Sequence, residues 1–144
     1  MSIINEDERI QILKDLVAIP SVNDHELQVA NYLQQLLASH QIESKVLPVT
    51  GDRANLVAEI GHGQPVLAIS GHMDVVDPGT KTDWDSDPFT LTERQGKLFG
   101  RGATDMKGGL AAMVIAMIEL AAQGKPEKGM IRLMATMGEE VGEL

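Results

Sequence analysis

A short apolar run, Pro65-Val66-Leu67-Ala68-Ile69, breaks at Gly71 into His72-Met73-Asp74. Bounded by glycines, the run reads as a buried central strand. A chain that ends a strand in this way is restricted in what it can fold into. In extended chain, residues i and i+2 point to one side, so His72 and Asp74 face a common space. In an open α/β sheet, the crevice beyond the carboxyl ends of the strands is where ligands bind. A histidine beside a carboxylate is also the unit formed by a metal ligand and the group that orients it. Two later breaks carry related chemistry. One is Gly100-Arg101-Gly102-Ala103-Thr104-Asp105, just before a helix. The other is Gly138-Glu139-Glu140, just after a strand.

The flanking sequence predicts the scaffold. Asn5 and Glu8 have the spacing of a capping box, and Ile10, Leu13, Leu16 and Val17 follow at helical spacing until Pro20. Asn23 with Glu26 repeats the start signal, and Leu27, Ala30, Leu33 and Leu37 give a second amphipathic helix. Ile42–Val49 and Ala54–Ile60 read as strands around the turn Thr50-Gly51-Asp52, with Asn55 the one odd polar residue near the start of the second. The polar stretch 77–87 reads as an exposed loop pinned by Trp84 and Pro88-Phe89. Gln95-Gly96 centres a small hairpin. Residues 106–123 form a helix apolar nearly all round, ended by Gly124 and Pro126, and 129–137 form the next strand. Strand, helix and strand in this order favour a parallel pair. The fold class expected is α/β, a three-layer sandwich whose mixed, mainly parallel sheet is flanked by helices. No linker divides the chain.

Bulk properties exclude several functions. The net charge of -9 argues against nucleic-acid or anionic-membrane surfaces. With no cysteine, any metal site must be built from histidine and carboxylate. The longest apolar run, residues 110–118, falls far short of the ~18 residues of a membrane span. The N-terminus has no secretory pattern, so the cytoplasm is the expected location.

The three acidic clusters occur at element ends beside glycines, and none lies on an exposed helix face. In extended chain, Glu139 and Glu140 would point to opposite sides, so one can bind metal while the other serves as a general base. Asp105, with two oxygens, could bridge ions about 3.5–4 Å apart. Histidine and carboxylate suit zinc, and also manganese or cobalt. Rival motifs fail. The segment from Gly100 lacks the third glycine of a dinucleotide fingerprint, and Asp105 in that place would repel a pyrophosphate. There is no phosphate loop and no nucleophile elbow.

Gly71-His72-Met73-Asp74-Val75-Val76, the run Gly100 to Gly109, and Gly138-Glu139-Glu140 resemble the metallopeptidase family of acetylornithine deacetylase, succinyl-diaminopimelate desuccinylase, aminoacylase and carboxypeptidase G. Ile19-Pro20-Ser21-Val22 and Trp84 to Phe89 are also similar to it. The resemblance implies that His72 ligates one metal, Asp74 orients His72, Asp105 bridges two divalent ions, Glu139 is the general base and Glu140 ligates the second ion. It implies zinc first as the metal, with cobalt or manganese as alternatives. The reaction implied is hydrolysis that removes an acetyl or succinyl group from an amino acid such as N-acetylornithine or N-succinyl-diaminopimelate. A dipeptidase or carboxypeptidase, or a non-catalytic domain retaining the fold, is the alternative. The family continues with another carboxylate ligand, a lid and dimerisation domain and a final histidine, none of them in this sequence. Residues 1–144 are therefore expected to be the N-terminal part of an incomplete catalytic domain, inactive by itself, from an enzyme that dimerises through its lid.

Overall fold

The computed structural model describes residues 3–142; Met1, Ser2 and the chain end at Leu144 lie outside the described residues. Helix α1 spans Glu6–Ala18, and the capping box forms: the Asn5 amide donates to Glu8 Oε2 and the Glu8 amide to Asn5 Oδ1. Helix α2 spans Leu27–Ser39. The strands are β1, Ser44–Thr50; β2, Arg53–His62; β3, Val66–His72; β4, Thr92–Arg94; β5, Lys97–Phe99; and β6, Gly129–Thr136. Helix α3, Gly108–Ala122, precedes β6. Strands β4 and β5 form a separate hairpin beside the main sheet.

The main sheet has the order β1-β2-β6-β3. Strands β3 and β6 are parallel, with Val66 opposite Met130 and His72 opposite Thr136. The α/β class and the helix-flanked mixed sheet hold, and two details differ from expectation. Only that pairing is parallel, because the Thr50–Arg53 turn makes β1 and β2 a hairpin and β6 lies antiparallel to β2. The described residues also form two layers rather than three. Alternate residues Ala54, Leu56, Ala58, Ile60, Leu133 and Ala135 share one face and pack with Ile12, Leu16, Leu33, Leu37, Leu110 and Met117 from all three helices. The other face carries no helix among the described residues, and Leu47 and Val49 are exposed there. Strand β3 is likewise at the edge, not the centre. No described strand covers its outer side, and Leu67 in this strand is 60% exposed. An apolar run reveals a strand's type but not whether a neighbour covers it. No helix among the described residues is long and apolar enough to cross a membrane.

Trp84 pins its loop as expected, donating from its indole N–H to the Pro78 carbonyl and lying under the Arg101 guanidinium.

The start of α3 is fastened to the end of α1 by a buried cation. Helix α1 has no basic residue in its last turn. Lys107, fully buried, supplies one from the far side of the sequence: Nζ donates to the Leu16 carbonyl at 2.7 Å and the Ile19 carbonyl at 2.6 Å. Such carbonyls at a helix end lack intrahelical donors and attract positive charge. Burial nonetheless pushes the Lys107 ammonium down from 10.5 to about 7. The neutral amine still donates both bonds. Between pH 7 and about 10, the unfolded chain therefore holds a proton here that the folded chain has released, so folding strengthens as pH rises. Urea denaturation should show stability climbing from pH 7 to 9, by no more than about 1.4 kcal/mol per unit. Lys107→Met removes the climb and the Nζ bond to each carbonyl, at a cost of ~0.5–1.5 kcal/mol each, while the Leu16 carbonyl keeps the Ile19 amide and the Ile19 carbonyl keeps the Ser21 amide. An equal climb in the variant contradicts this account.

Candidate metal centre

Strand β3 delivers His72 to the carboxyl end of the sheet, and the next residues are fixed by neighbouring chain. The Met73 amide donates to the Thr136 carbonyl, the Val75 amide to the Ser21 carbonyl, and the buried Ser21 hydroxyl to the Met73 carbonyl. The segment Ile19–Val22 thus lies alongside residues 73–75, with Val22 bridging to Val75. His72 is buried. Its Nδ1–H donates to the Asp74 main-chain carbonyl at 2.9 Å, which aims Nε2 at Asp105 Oδ1, 3.0 Å away. Burial, the largest influence, lowers the ring's pKa. The Asp74 carbonyl, the Asp105 carboxylate and the charges of Asp74 and Glu139 raise it, and the balance lies above the usual value.

The Asp74 carboxylate, fully buried, lies 3.6 Å from His72 Nδ1. Its two oxygens are taken up by the chain after β6. Oδ1 accepts the Glu139 amide at 3.2 Å and Oδ2 the Glu140 amide at 2.8 Å. One carboxylate therefore ties the end of β3 to the segment after β6. That segment is a turn, closed by the Gly142 amide on the Gly138 carbonyl. The expectation of extended chain at Glu139-Glu140 fails here, because the strand has ended at Thr136 and Gly138 turns the chain with left-handed backbone at φ +72°.

Asp105 arrives from the irregular turn Ala103–Lys107 ahead of α3. Gly102 before it is left-handed, and a Cβ there would run into the Val75 side chain, so the turn packs directly on the strand-end loop. His72, Asp105 and Glu140 each offer a ligand atom, all within 4.8 Å of one another. Glu139 Oε2 lies 3.7 Å from His72 Nε2. Asp105 and Glu139 are open to solvent, with side chains 73% and 61% exposed. Burial raises the Glu140 pKa, as do the charges of Asp105, Glu139 and Asp74, while His72 opposes them. The donor set fits a divalent cation. Between His72 Nε2 and Asp105 Oδ1 there is a place for a proton or a metal ion, and the crowded carboxylates favour the more highly charged cation.

The sequence matches peptidase family M20/M25/M40 over residues 68–143, more than half of the chain. The chain belongs to this family. A probable succinyl-diaminopimelate desuccinylase of Staphylococcus epidermidis is 59% identical over 97% of the chain and 35% of its own length. An M20 family metallo-carboxypeptidase of Sulfolobus solfataricus has TM-score 0.85 at 26% identity, covering 94% of this chain and 32% of that one. Human carnosine dipeptidase 1 has TM-score 0.81 at 27% identity, covering 96% and 33%. The chain thus spans about a third of the length of the curated relatives it matches.

In this M20/M25/M40 chain, all five expected residues, His72, Asp74, Asp105, Glu139 and Glu140, meet at one end of the sheet. Sequence reasoning missed what supports them. Glu26 was expected in a capping box with Asn23. Instead, Asn23 has left-handed backbone, and the fully buried Glu26 makes no side-chain cap. Its Oε1 accepts the Gly138 amide at 3.1 Å. Asn55, noted only as the odd polar residue in its strand, accepts the Met137 amide at 2.9 Å. Met106 Sδ accepts the His72 amide.

Zinc titration by calorimetry should separate the roles of the β3 end. His72→Ala removes a donor and abolishes binding at this group. Asp74→Asn turns an NH2 toward one of two amide N–H groups, which loosens the turn that carries Glu140. It should weaken zinc binding by ~10–100-fold without abolishing it. Equal loss in both variants would mean that Asp74 itself is a ligand.

Proposed function

We propose that this chain supplies part of the catalytic unit of a metal-dependent amidohydrolase, and that His72, Asp105 and Glu140 hold its divalent ions, zinc first, with Asp105 shared between two. Residues 1–144 are the N-terminal part of that unit, and further ligands come from the rest of the protein. The observation that carries the reading is the convergence of His72, Asp105 and Glu140 within 4.8 Å, with Glu139 beside them and exposed. When bound, the ions polarise the scissile carbonyl and acidify water.

The chain's own residues do the remaining work. The Asp74 carbonyl accepts a hydrogen bond from His72 Nδ1–H, which keeps the proton on Nδ1 and leaves Nε2 free for a metal. Glu139 is the general base. Its carboxylate accepts a proton as water oxygen adds to the amide carbon, and returns that proton to the leaving nitrogen as the C–N bond breaks. The products are a carboxylic acid and an amine. The substrate proposed is an N-succinyl amino acid, N-succinyl-diaminopimelate first. Its support is the 59% identity to the probable succinyl-diaminopimelate desuccinylase of Staphylococcus epidermidis. A dipeptide is the second substrate class, favoured by the likeness to carnosine dipeptidase 1. The full-length enzyme is proposed to dimerise through its lid and to act in the cytoplasm.

Assays of the complete protein test the assignment. Glu139→Gln keeps shape and polarity but accepts no proton. It should retain its metals while kcat falls by at least the ~10²–10⁴ expected of a lost base. Glu140→Gln is a poorer ligand. It should lose metal, and added zinc should partly restore its rate. If Glu139→Gln is the variant that loses metal and recovers with zinc, the two roles are reversed.

A further inference from the structure

We propose that Glu26, braced by Arg53, is a positioning residue for the Glu139-Glu140 turn. This rests on the reading of that pair as base and ligand. Four consecutive amides, Met137 to Glu140, donate to side chains: to Asn55 Oδ1, Glu26 Oε1, Asp74 Oδ1 and Asp74 Oδ2. Asp74 belongs to the strand-end motif. Glu26 comes from the start of α2, a separate part of the scaffold, and it holds the amide directly before Glu139.

A carboxylate buried out of reach of water is costly unless its oxygens are met. At a helix start, an acidic side chain ordinarily turns back onto its own first-turn amides. Glu26 makes no such bond. It points across to Gly138 instead, while the Leu27 amide is satisfied by the Asp52 carbonyl. Behind it, Arg53 Nε lies 3.6 Å from Glu26 Oε2 and 3.1 Å from Asp24 Oδ1, with the Arg53 side chain 11% exposed. The contact is an ion pair without a hydrogen bond, since Glu26 Oε2 and Arg53 Nε and Nη2 have no hydrogen-bond partner, and the permanent guanidinium charge holds the carboxylate by attraction. A Cβ on Gly138 would run into Arg53 Nη2, so the turn rests directly on that guanidinium. Glu26 belongs neither to the metal-ligand group nor to the ion pairs of His72. Its effect on Glu139 and Glu140 passes through the backbone of Gly138.

Amide hydrogen exchange and zinc calorimetry on this chain test the proposal. Glu26→Gln keeps an acceptor oxygen for Gly138 and should stay within about threefold of wild type in both measurements. Glu26→Ala removes it. Exchange at residues 138–140 should quicken roughly tenfold or more, against little change at Val114 inside α3, and zinc affinity should fall roughly tenfold or more. Leu37→Ala, a core cavity remote from the turn, serves as the stability control. It should speed exchange throughout and spare the zinc affinity of folded molecules. If Glu26→Ala leaves the buried Arg53 with the exposed Asp24 alone and unfolds the chain, the double variant Glu26→Met/Arg53→Met removes both buried charges at similar volume and should loosen the turn in the same way. Wild-type exchange at residues 138–140 in Glu26→Ala or in the double variant overturns the proposal. So does a zinc loss that Leu37→Ala matches. Zinc binding that survives His72→Ala overturns the metal reading instead, and the exchange arm, which needs no metal, still decides the role of Glu26.

Discussion

The site depends on one buried carboxylate. The Asp74 carboxylate accepts the amides of Glu139 and Glu140, while the Asp74 main-chain carbonyl accepts a hydrogen bond from His72 Nδ1–H. A single residue thereby fixes the ring of His72 and the backbone of Glu140, although the two are far apart in sequence. The parallel pairing of β3 with β6 makes this feasible. Register sets His72 opposite Thr136, so both strands release their acidic segments at the same end. Any chain that brought His72 and Glu140 together without such a tie would have to order two exposed loops at full entropic cost.

The third contributor is set by packing rather than by the sheet. Asp105 sits ahead of α3, and α3 is located by its buried face, Leu110, Val114, Met117 and Ile118, and by Lys107 on the end of α1. Gly102 allows the turn to press against Val75, so the helix start and the strand end form one body. Core, clamp and site are thus linked: the contacts that locate α3 also locate Asp105.

The convergence of these residues was legible in the sequence because element ends leave a signature. Glycine near a polar side chain, at the end of a strand or just before a helix, marks His72, Asp105 and Glu140 without any tertiary information. The supporting part was not. Glu26, three residues after Asn23, carries the letters of a capping box, and local spacing cannot show that the carboxylate turns toward Gly138. Asn55 was visible as an anomaly in an apolar strand, but an unpaired polar side chain does not name its partner. The edge position of β3 and the bare sheet face were invisible for a related reason. Apolar runs record a tendency to be covered, whereas exposure depends on which strands and helices arrive.

The central claim is that the Asp74-bound turn, the β3 end and the Asp105 turn present one set of metal donors. Crystals of the protein grown with zinc, measured by anomalous diffraction at the zinc edge, test it most directly. The account predicts an anomalous peak about 2.0–2.2 Å from His72 Nε2 and from a carboxylate oxygen of Asp105 or Glu140. It also predicts that the Asp74 carboxylate remains on the Glu139 and Glu140 amides. A peak at another group of residues, or an Asp74 carboxylate swung onto the ion with the turn released, would contradict it.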